Sequence, residues 1–387
     1  MSRLLERVQQ TVSEQALFGA GDVLIAGVSG GADSTALACL LAEMAPMVGA
    51  RLVGLAHLNH QLRDAADADE AFCRDLAGRL DVAFDSRRLD VAAEARSRKT
   101  SVEDAARTVR YLFLNEVAAA RGATRVAVGH TRDDQAETVL LRLARGAGPT
   151  GLAAIFPRAG QVIRPLLDTR RSDVERWLRA RDQDWREDES NQDRRIPRNK
   201  VRHELLPWLV EAFGAGIIDV LARQAALSRD DAEWFELVAT ETARRLVLED
   251  EGAVTMGLAE LGALHPAIGR RVVLDALRRA SDGRFVGFDH VEAVLALGQA
   301  GSGVIDLPGQ RVECRQGRMR FTPRQPDPAR EGRRRGRPVV ARDESEPIGG
   351  PAVSKSAGES LEPRATGGPK CAGSVSLEGH APKGGRG

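Results

Sequence analysis

The sequence predicts a doubly wound α/β domain with a mainly parallel sheet, followed by a smaller, mainly helical domain and a disordered tail. From Val23 to about Leu143, short apolar runs alternate with stretches whose apolar residues recur every three or four positions, the pattern of strands joined by crossover helices. The first apolar run passes through glycines directly into a helical pattern. Past Gly151 the alternation fades, and from about Gln325 aliphatic residues become too sparse to bury a core.

Taken in order, a helix over Leu4–Leu17 precedes strands at Val23–Val28, Arg51–His57, Val82–Leu89 and Arg125–Val128. Helices at about Ser34–Met44, Asp67–Arg79, Ser101–Arg121 and Asp133–Arg145 connect or follow them, each with a polar face. A Pro-punctuated stretch, a helix at about Arg171–Arg181, a polar segment Glu187–Arg198 and a helix ending near Phe213 complete a first domain over 1–213. Gly214–Gly216 marks the boundary. Residues 217–323 read as amphipathic helices up to Leu297 plus a small strand pair, Val304–Leu307 with Met319–Thr322. Residues 325–387 form the tail.

With 387 residues, a main domain and at least one smaller unit are expected. The 56 basic and 55 acidic residues nearly cancel, so an RNA site has to be a local basic patch rather than a global excess of charge. Cys39, Cys73, Cys314 and Cys371 form no C-x-x-C pair and no zinc or iron–sulfur spacing, and are read as reduced thiols. No apolar run approaches the ~18–20 residues of a membrane span, and Met1-Ser-Arg-Leu-Leu-Glu-Arg lacks the apolar segment of a signal peptide. A cytoplasmic protein without a membrane partner is expected.

The strongest chemical feature is Val23-Leu-Ile-Ala-Gly-Val-Ser-Gly-Gly-Ala-Asp-Ser-Thr-Ala-Leu. Here Ser29, Gly30, Gly31, Ala32, Asp33 and Ser34 bring backbone N–H groups, two hydroxyls and a helix N-terminus to one place, an anion cradle. No lysine follows the glycines, so it is not the G-x-x-x-x-G-K-[ST] loop. Asp33 stands where positive charge would be sought, which makes sense with Mg²⁺ between carboxylate and phosphates. The plain alternative is a strand–helix junction capped by Asp33 or Ser34.

Four further segments fall at strand ends or on following helices. His57, Asn59, His60 and Arg63 close the second strand at the carboxyl edge, where ligands of such sheets bind. Arg107 and Arg110 share a helix face and suit a phosphate clamp, although Glu103 with Arg107 also reads as ordinary i,i+4 pairing. In Gly129-His130-Thr-Arg-Asp133-Asp134-Gln-Ala-Glu137, Asp133 and Glu137 lie one turn apart, while Thr131 and Asp134 also fit a capping box. Arg145-Gly-Ala-Gly-Pro-Thr-Gly-Leu152 is a breaker or a close approach to a ligand.

The Ser-Gly-Gly-Ala-Asp-Ser loop resembles that of the ATP pyrophosphatase superfamily, with its adenine nucleotide alpha hydrolase-like fold and cleavage between the α and β phosphates. Together with Arg164-Pro-Leu-Leu167, Asp188-Glu-Ser-Asn191, Arg198-Asn-Lys-Val-Arg202 and Leu206-Pro207, the ordered motifs resemble the tRNA(Ile)-lysidine synthetases, closely over about 20–210 and loosely to about 323. The resemblance implies an ATP-dependent ligase with ATP, Mg²⁺, free L-lysine and a tRNA(Ile) bearing a CAU anticodon as its partners. It implies adenylation of the wobble cytidine and displacement of AMP by lysine.

On that reading Asp33 is the metal-side residue, Arg110 and more weakly Arg107 stabilise the transferred AMP, and Asp133, Asp134 and Glu137 recognise or deprotonate lysine, with His130 as an alternative proton acceptor. The basic segment Arg194–Arg202 and the helical C-terminal domain 217–323 are the expected tRNA contacts, while Asn199 and Arg202 either belong to that contact or anchor the linker onto the α/β domain. The run Arg330–Arg337 adds nonspecific attraction or is merely solvated. Oligomeric state is open, with a homodimer one option. Two rivals remain: another adenylating enzyme of the superfamily, and a protein that holds ATP without turning it over.

Overall fold

A computed structural model describes residues 2–61, 66–187, 193–250, 252–281 and 283–324. The expectations for Arg63, Asp188–Asn191 and the tail 325–387 fall outside the described residues. After α1 (Arg3–Glu14) the chain runs β1 (Val23–Gly27), α2 (Ala32–Met44), β2 (Arg51–Asn59), α3 (Ala66–Arg79), β3 (Ala83–Arg88), α4 (Val91–Arg98), α5 (Val102–Arg121), β4 (Arg125–Ala127) and α6 (Arg132–Ala144). There follow α7 (Pro149–Leu152), the short pair β5 (Arg158–Ala159) and β6 (Val162–Ile163), and α8 (Arg171–Arg179).

The sheet order is β3-β2-β1-β4-β6-β5, parallel except for β5 against β6. The interior residues of β1, Leu24, Ile25 and Ala26, are wholly buried because helices cover both faces of the sheet. On one face Leu24 and Ala26 pack with Leu5 and Val8 of α1, Leu37, Leu40 and Leu41 of α2, Cys73 and Leu76 of α3, and Val174 and Leu178 of α8. On the other, Ile25, Ala56 and Val126 pack with Val109, Phe113, Leu114 and Val117 of α5. The expected elements are present with shifted ends. The exceptions are α4, whose Ala- and Arg-rich stretch carries little apolar periodicity, and the two-residue β5 and β6, too short to show alternation.

A continuous helical run follows: α9 (Pro197–Lys200), a wide π-helical turn Val201–Leu205, and α10 (Leu206–Phe213). Gly214, at φ +82°, ends it in a conformation that suits glycine. The expected boundary at Gly214–Gly216 separates two helices but not two cores. α11 (Ile217–Leu246) packs Ile218, Leu221 and Ala225 against Ala136 and Val139 of α6 and Ala154, whereas its far end, Ala243, joins the C-terminal core.

That core contains more strand than the small pair expected from the sequence. β7 (Leu248–Asp250), β8 (Ala253–Gly257), β9 (Gly303–Leu307), β10 (Gln310–Arg315) and β11 (Arg318–Pro323) form an antiparallel sheet in the order β7-β8-β11-β10-β9. The two expected strands are not partners: β10 lies between them. α12 (Leu258–Gly262), α13 (Pro266–Ala280) and α14 (Phe288–Ala300) accompany the sheet, and Val272 and Leu277 of α13 pack with Val312, Met319 and Phe321. Among the described residues no single helix is long and apolar enough to cross a membrane.

Candidate nucleotide-binding and catalytic site

The parallel strands β1, β2, β4 and β6 put their carboxyl ends on one edge of the sheet, and the candidate residues collect there. Between β1 and α2, Gly30 takes φ +86°. Ser34 closes the loop internally: its Oγ accepts the Ser29 N–H at 3.1 Å and donates to the Gly31 carbonyl at 3.0 Å, while the Thr35 hydroxyl donates to the Gly30 carbonyl at 3.1 Å. The N-cap of α2 is Gly31, with no side chain to cap the first amides, so neither Asp33 nor Ser34 serves as the cap. Those amides and the helix dipole are available to an anion.

Gly129, just past β4, packs against this helix start. A Cβ there would lie 3.0 Å from the Asp33 carbonyl carbon and 3.1 Å from the Ser34 nitrogen, contacts with backbone that cannot swing aside. Gly129→Ala is expected to displace the loop, lowering stability by about 1–3 kcal/mol and weakening ATP binding. Calorimetric titration of a nonhydrolysable ATP analogue checks this; an unchanged affinity would refute the close-packing argument.

The acidic residues do not stand open for a cationic substrate. Asp134 and Glu137 of α6, 6% and 1% exposed, face Arg171 of α8 together with Arg198 and Arg202 of the 197–213 run. Arg202 donates from Nε to Glu137 Oε1 at 2.6 Å and from Nη2 to Oε2 at 2.9 Å; Arg198 donates from Nε to Oε2 at 3.0 Å. All three arginines reach Asp134 Oδ1 at 3.0–3.1 Å. Asp134 Oδ2 meanwhile accepts the Thr131 N–H and hydroxyl, each at 2.8 Å, so the capping box exists and Asp134 serves both roles. Burial disfavours its charge, but Arg171, Arg198 and Arg202 outweigh that and hold the carboxyl well below the usual range.

Asp133 parts from Glu137, against the expected pairing. Its Oδ2 accepts the Arg171 backbone N–H at 2.8 Å at the start of α8 and lies 3.6 Å from Arg170 Nε. The three-residue spacing of Asp134 and Glu137 is what brings two carboxylates together on one face of the helix. Asp33 completes a balanced set of three carboxylates and three guanidiniums: its Oδ2 accepts from Arg171 Nε at 3.0 Å, while Oδ1 is buried without a partner. Burial, with Asp134 repelling it and Arg171 only partly compensating, pushes this carboxyl up to about 6.

His57 donates from Nδ1 to the Val28 carbonyl at 2.9 Å, tying the end of β2 to the end of β1, and its Nε2 is buried without a partner. Burial holds its pKa below the usual value despite that bond. The Asn59 amide is committed to its own loop, accepting from Gln61 N–H and donating to Ala66, Asp67 and Glu70. His60 Nε2 lies 3.3 Å from Arg110 Nη2. Arg107 stacks over the Tyr111 ring at 5.1 Å, so the i,i+4 pairing with Glu103 is not what orients it. Asn199, 6% exposed, donates to the Asp193 carbonyl at 3.1 Å and so secures its own segment. Half-buried His130 has an unpartnered Nδ1; desolvation first, then Arg164, Arg198 and Arg107, keeps it well below the normal histidine value and thus neutral.

The sequence points to Arg164 only within a motif and to Arg198 only as part of the basic segment, and it does not single out Arg171. One signal was present: Arg170 and Arg171 begin a helix, where positive charge is unfavourable unless a carboxylate compensates it.

A family model described as the PP-loop domain matches residues 2–209. A protein of Geobacter sulfurreducens named tRNA(Ile)-lysidine synthase is 39% identical over 320 residues, 81% of this chain and 67% of its own length. Proteins of the same name from Chlorobaculum tepidum, 36% identical over 83% of this chain and 97% of its own length, and Streptomyces coelicolor, 39% identical over 76% and 83%, match as well.

Proposed function

The chain belongs to the PP-loop tRNA(Ile)-lysidine synthase family, and from that premise we infer that it is an ATP-dependent ligase acting on the wobble cytidine of a tRNA(Ile) with a CAU anticodon. The cytidine O2 attacks the α-phosphorus and pyrophosphate leaves. The neutral ε-amine of free L-lysine then attacks C2, loses a proton and displaces AMP, leaving lysidine. The observation that carries this reading is the uncapped start of α2 beside the Asp33–Arg171 pair, an anion cradle with a carboxylate at its rim.

The chain's own groups fit these steps. The loop amides and Arg171 bind phosphate oxygens, and Arg110 lies on α5 at the same edge to meet charge on the transferred AMP. The buried, unpartnered Oδ1 of Asp33 fits one ligand position of Mg²⁺, whose chemistry when bound is to neutralise phosphate charge. Neutral His130, with Nδ1 free to accept, suits the proton of the attacking amine. Asp134 and Glu137 recognise the lysine ammonium once arriving phosphates draw guanidinium charge away from them; until then their own arginines fill that role. Because Arg198 and Arg202 turn inward, RNA phosphates fall to the more exposed Arg194 and Arg195. The protein acts in the cytoplasm on this reading.

Labelled lysine is expected to enter a CAU-anticodon RNA with matching release of AMP and pyrophosphate. AMP release without lysine incorporation would remove the lysidine reading and leave adenylation of another substrate.

A further inference from the structure

Arg164 follows β6 at the carboxyl edge and is 2% exposed. Its Nη1 donates to the Phe156 carbonyl at 2.7 Å, its Nη2 reaches the Tyr111 hydroxyl at 3.5 Å, the outer limit of a hydrogen bond, and its Nε is buried without a partner. Unlike Arg171, Arg198 and Arg202, it meets no carboxylate at ion-pair distance among the described residues. A buried cation without a countercharge is costly, by several kcal/mol. Such a group persists where a ligand brings the missing charge.

The surroundings select for an anion. Tyr111 sits between guanidiniums, with Arg107 5.1 Å from its ring centroid and Arg164 at its hydroxyl. The charged groups acting on Tyr111 are Arg164, Arg107 and Arg110, all positive, and they depress its phenol below the usual value although burial works the other way. The unpartnered Nδ1 of His130 feels Arg164 most among the charged groups, then the Asp134 carboxylate in the opposite sense, then Arg198 and Arg107; that carboxylate is already matched by Arg171, Arg198 and Arg202. Arg107 is exposed, so the cluster opens to solvent.

This cluster is not the nucleotide loop. Tyr111 and α5 pack on the face of the sheet lined by Ile25, Ala56 and Val126, whereas α2 and α8, which carry Asp33 and Arg171, pack on the opposite face. We propose that Arg164, Tyr111 and Arg107 form a second anion site, on the α5 side of the catalytic edge, that takes a phosphate ester oxygen of a substrate. Two sources present that chemistry: a phosphodiester of the RNA beside the reacting base, and a phosphate of ATP reaching across the edge. The first is favoured because ATP phosphates already have the loop on the other face. Only the naming of these sources rests on the functional reading above.

Tyr111 is the only tyrosine in the chain, so its ionisation can be followed alone by phenolate absorbance. An anion seated against Arg164 and Arg107 disfavours the phenolate, so the alkaline midpoint of the full-length protein is expected to rise by about one pH unit on filling the site. A CAU anticodon stem-loop and a nonhydrolysable ATP analogue with Mg²⁺ are added separately. A rise with RNA alone assigns the site to the phosphodiester, and a rise with the analogue assigns it to ATP. Neither ligand moving the midpoint would overturn the proposal, even for a protein that forms lysidine.

Arg107→Ala, at an exposed position, is expected to diminish the rise and to weaken binding of whichever ligand causes it by about tenfold. Unchanged affinity for both ligands in that variant would likewise overturn the site. Arg164→Lys, which keeps the charge but loses the fork, should retain part of the rise; a full rise in Arg164→Met would show that Arg164 has no part in it.

Discussion

Glu137→Ala lowers the thermal midpoint by roughly 6–20 °C, the expected result of removing one anion from a buried set of three and three. Glu137 is 1% exposed and receives both Arg202 and Arg198 in hydrogen-bonded contact. Without it, two guanidiniums share Asp134 with Arg171, and at least one positive charge is uncompensated, at a cost of about 3–5 kcal/mol. The charge explanation is separable from simple loss of volume. Glu137→Leu combined with Arg202→Leu restores neutrality and should recover a large part of the stability while lysidine formation stays abolished. Thermal unfolding of the single and double variants, followed by circular dichroism, decides; a double variant no more stable than Glu137→Ala would refute the charge argument.

Asp33→Asn is expected to lower pyrophosphate release about a thousandfold while making the protein more stable at neutral pH. The Asp33 carboxyl rises from 3.8 to about 6 on folding, chiefly through burial. Between those values the native state holds a proton that the unfolded chain has lost, so stability falls as pH rises through this window. Above about pH 7 the full deficit, about 3 kcal/mol, is present. Asparagine carries no charge, its amide oxygen can still accept from Arg171 Nε, and Arg171 keeps Asp134 and Glu137 as countercharges, unlike the Arg198 and Arg202 pair left by loss of Glu137; the variant should therefore exceed the parent by roughly 1–3 kcal/mol at pH 7.5 and converge with it near pH 4. Urea denaturation at the two pH values tests the sign. Retention of the RNA, measured by filter binding, should be largely kept; equal loss of retention and turnover would exclude a metal-side role.

The parts of this molecule that were legible in the sequence are those encoded locally. A strand buried on both faces reads as an apolar run, and Ser29–Ser34 reads as a loop because glycine, hydroxyl and helix start are consecutive. The site's electrostatics are not local. Arg171, Arg198 and Arg202 come from two later segments, and nothing near them in sequence shows that Asp134 and Glu137 are their partners. The spacing of Asp133 to Glu137 is as good as that of Asp134; that Asp133 stands apart from the carboxylate pair is decided only when α8 starts against it. The C-terminal sheet escaped for a different reason: of the three buried positions of Gln310–Arg315 only Val312 and Cys314 are apolar, the third being Gln310, which leaves too little alternation to mark a strand.

α11 is 30 residues long without glycine or proline inside it, about 45 Å of continuous rod. One end is cemented to α6, the helix that presents Asp134 and Glu137, and Arg229 fastens its middle to the Ile155 carbonyl at 3.1 Å; the other end is built into the C-terminal core. It is therefore a gauge block: whatever the far sheet grips is held at a fixed standoff from the carboxylates.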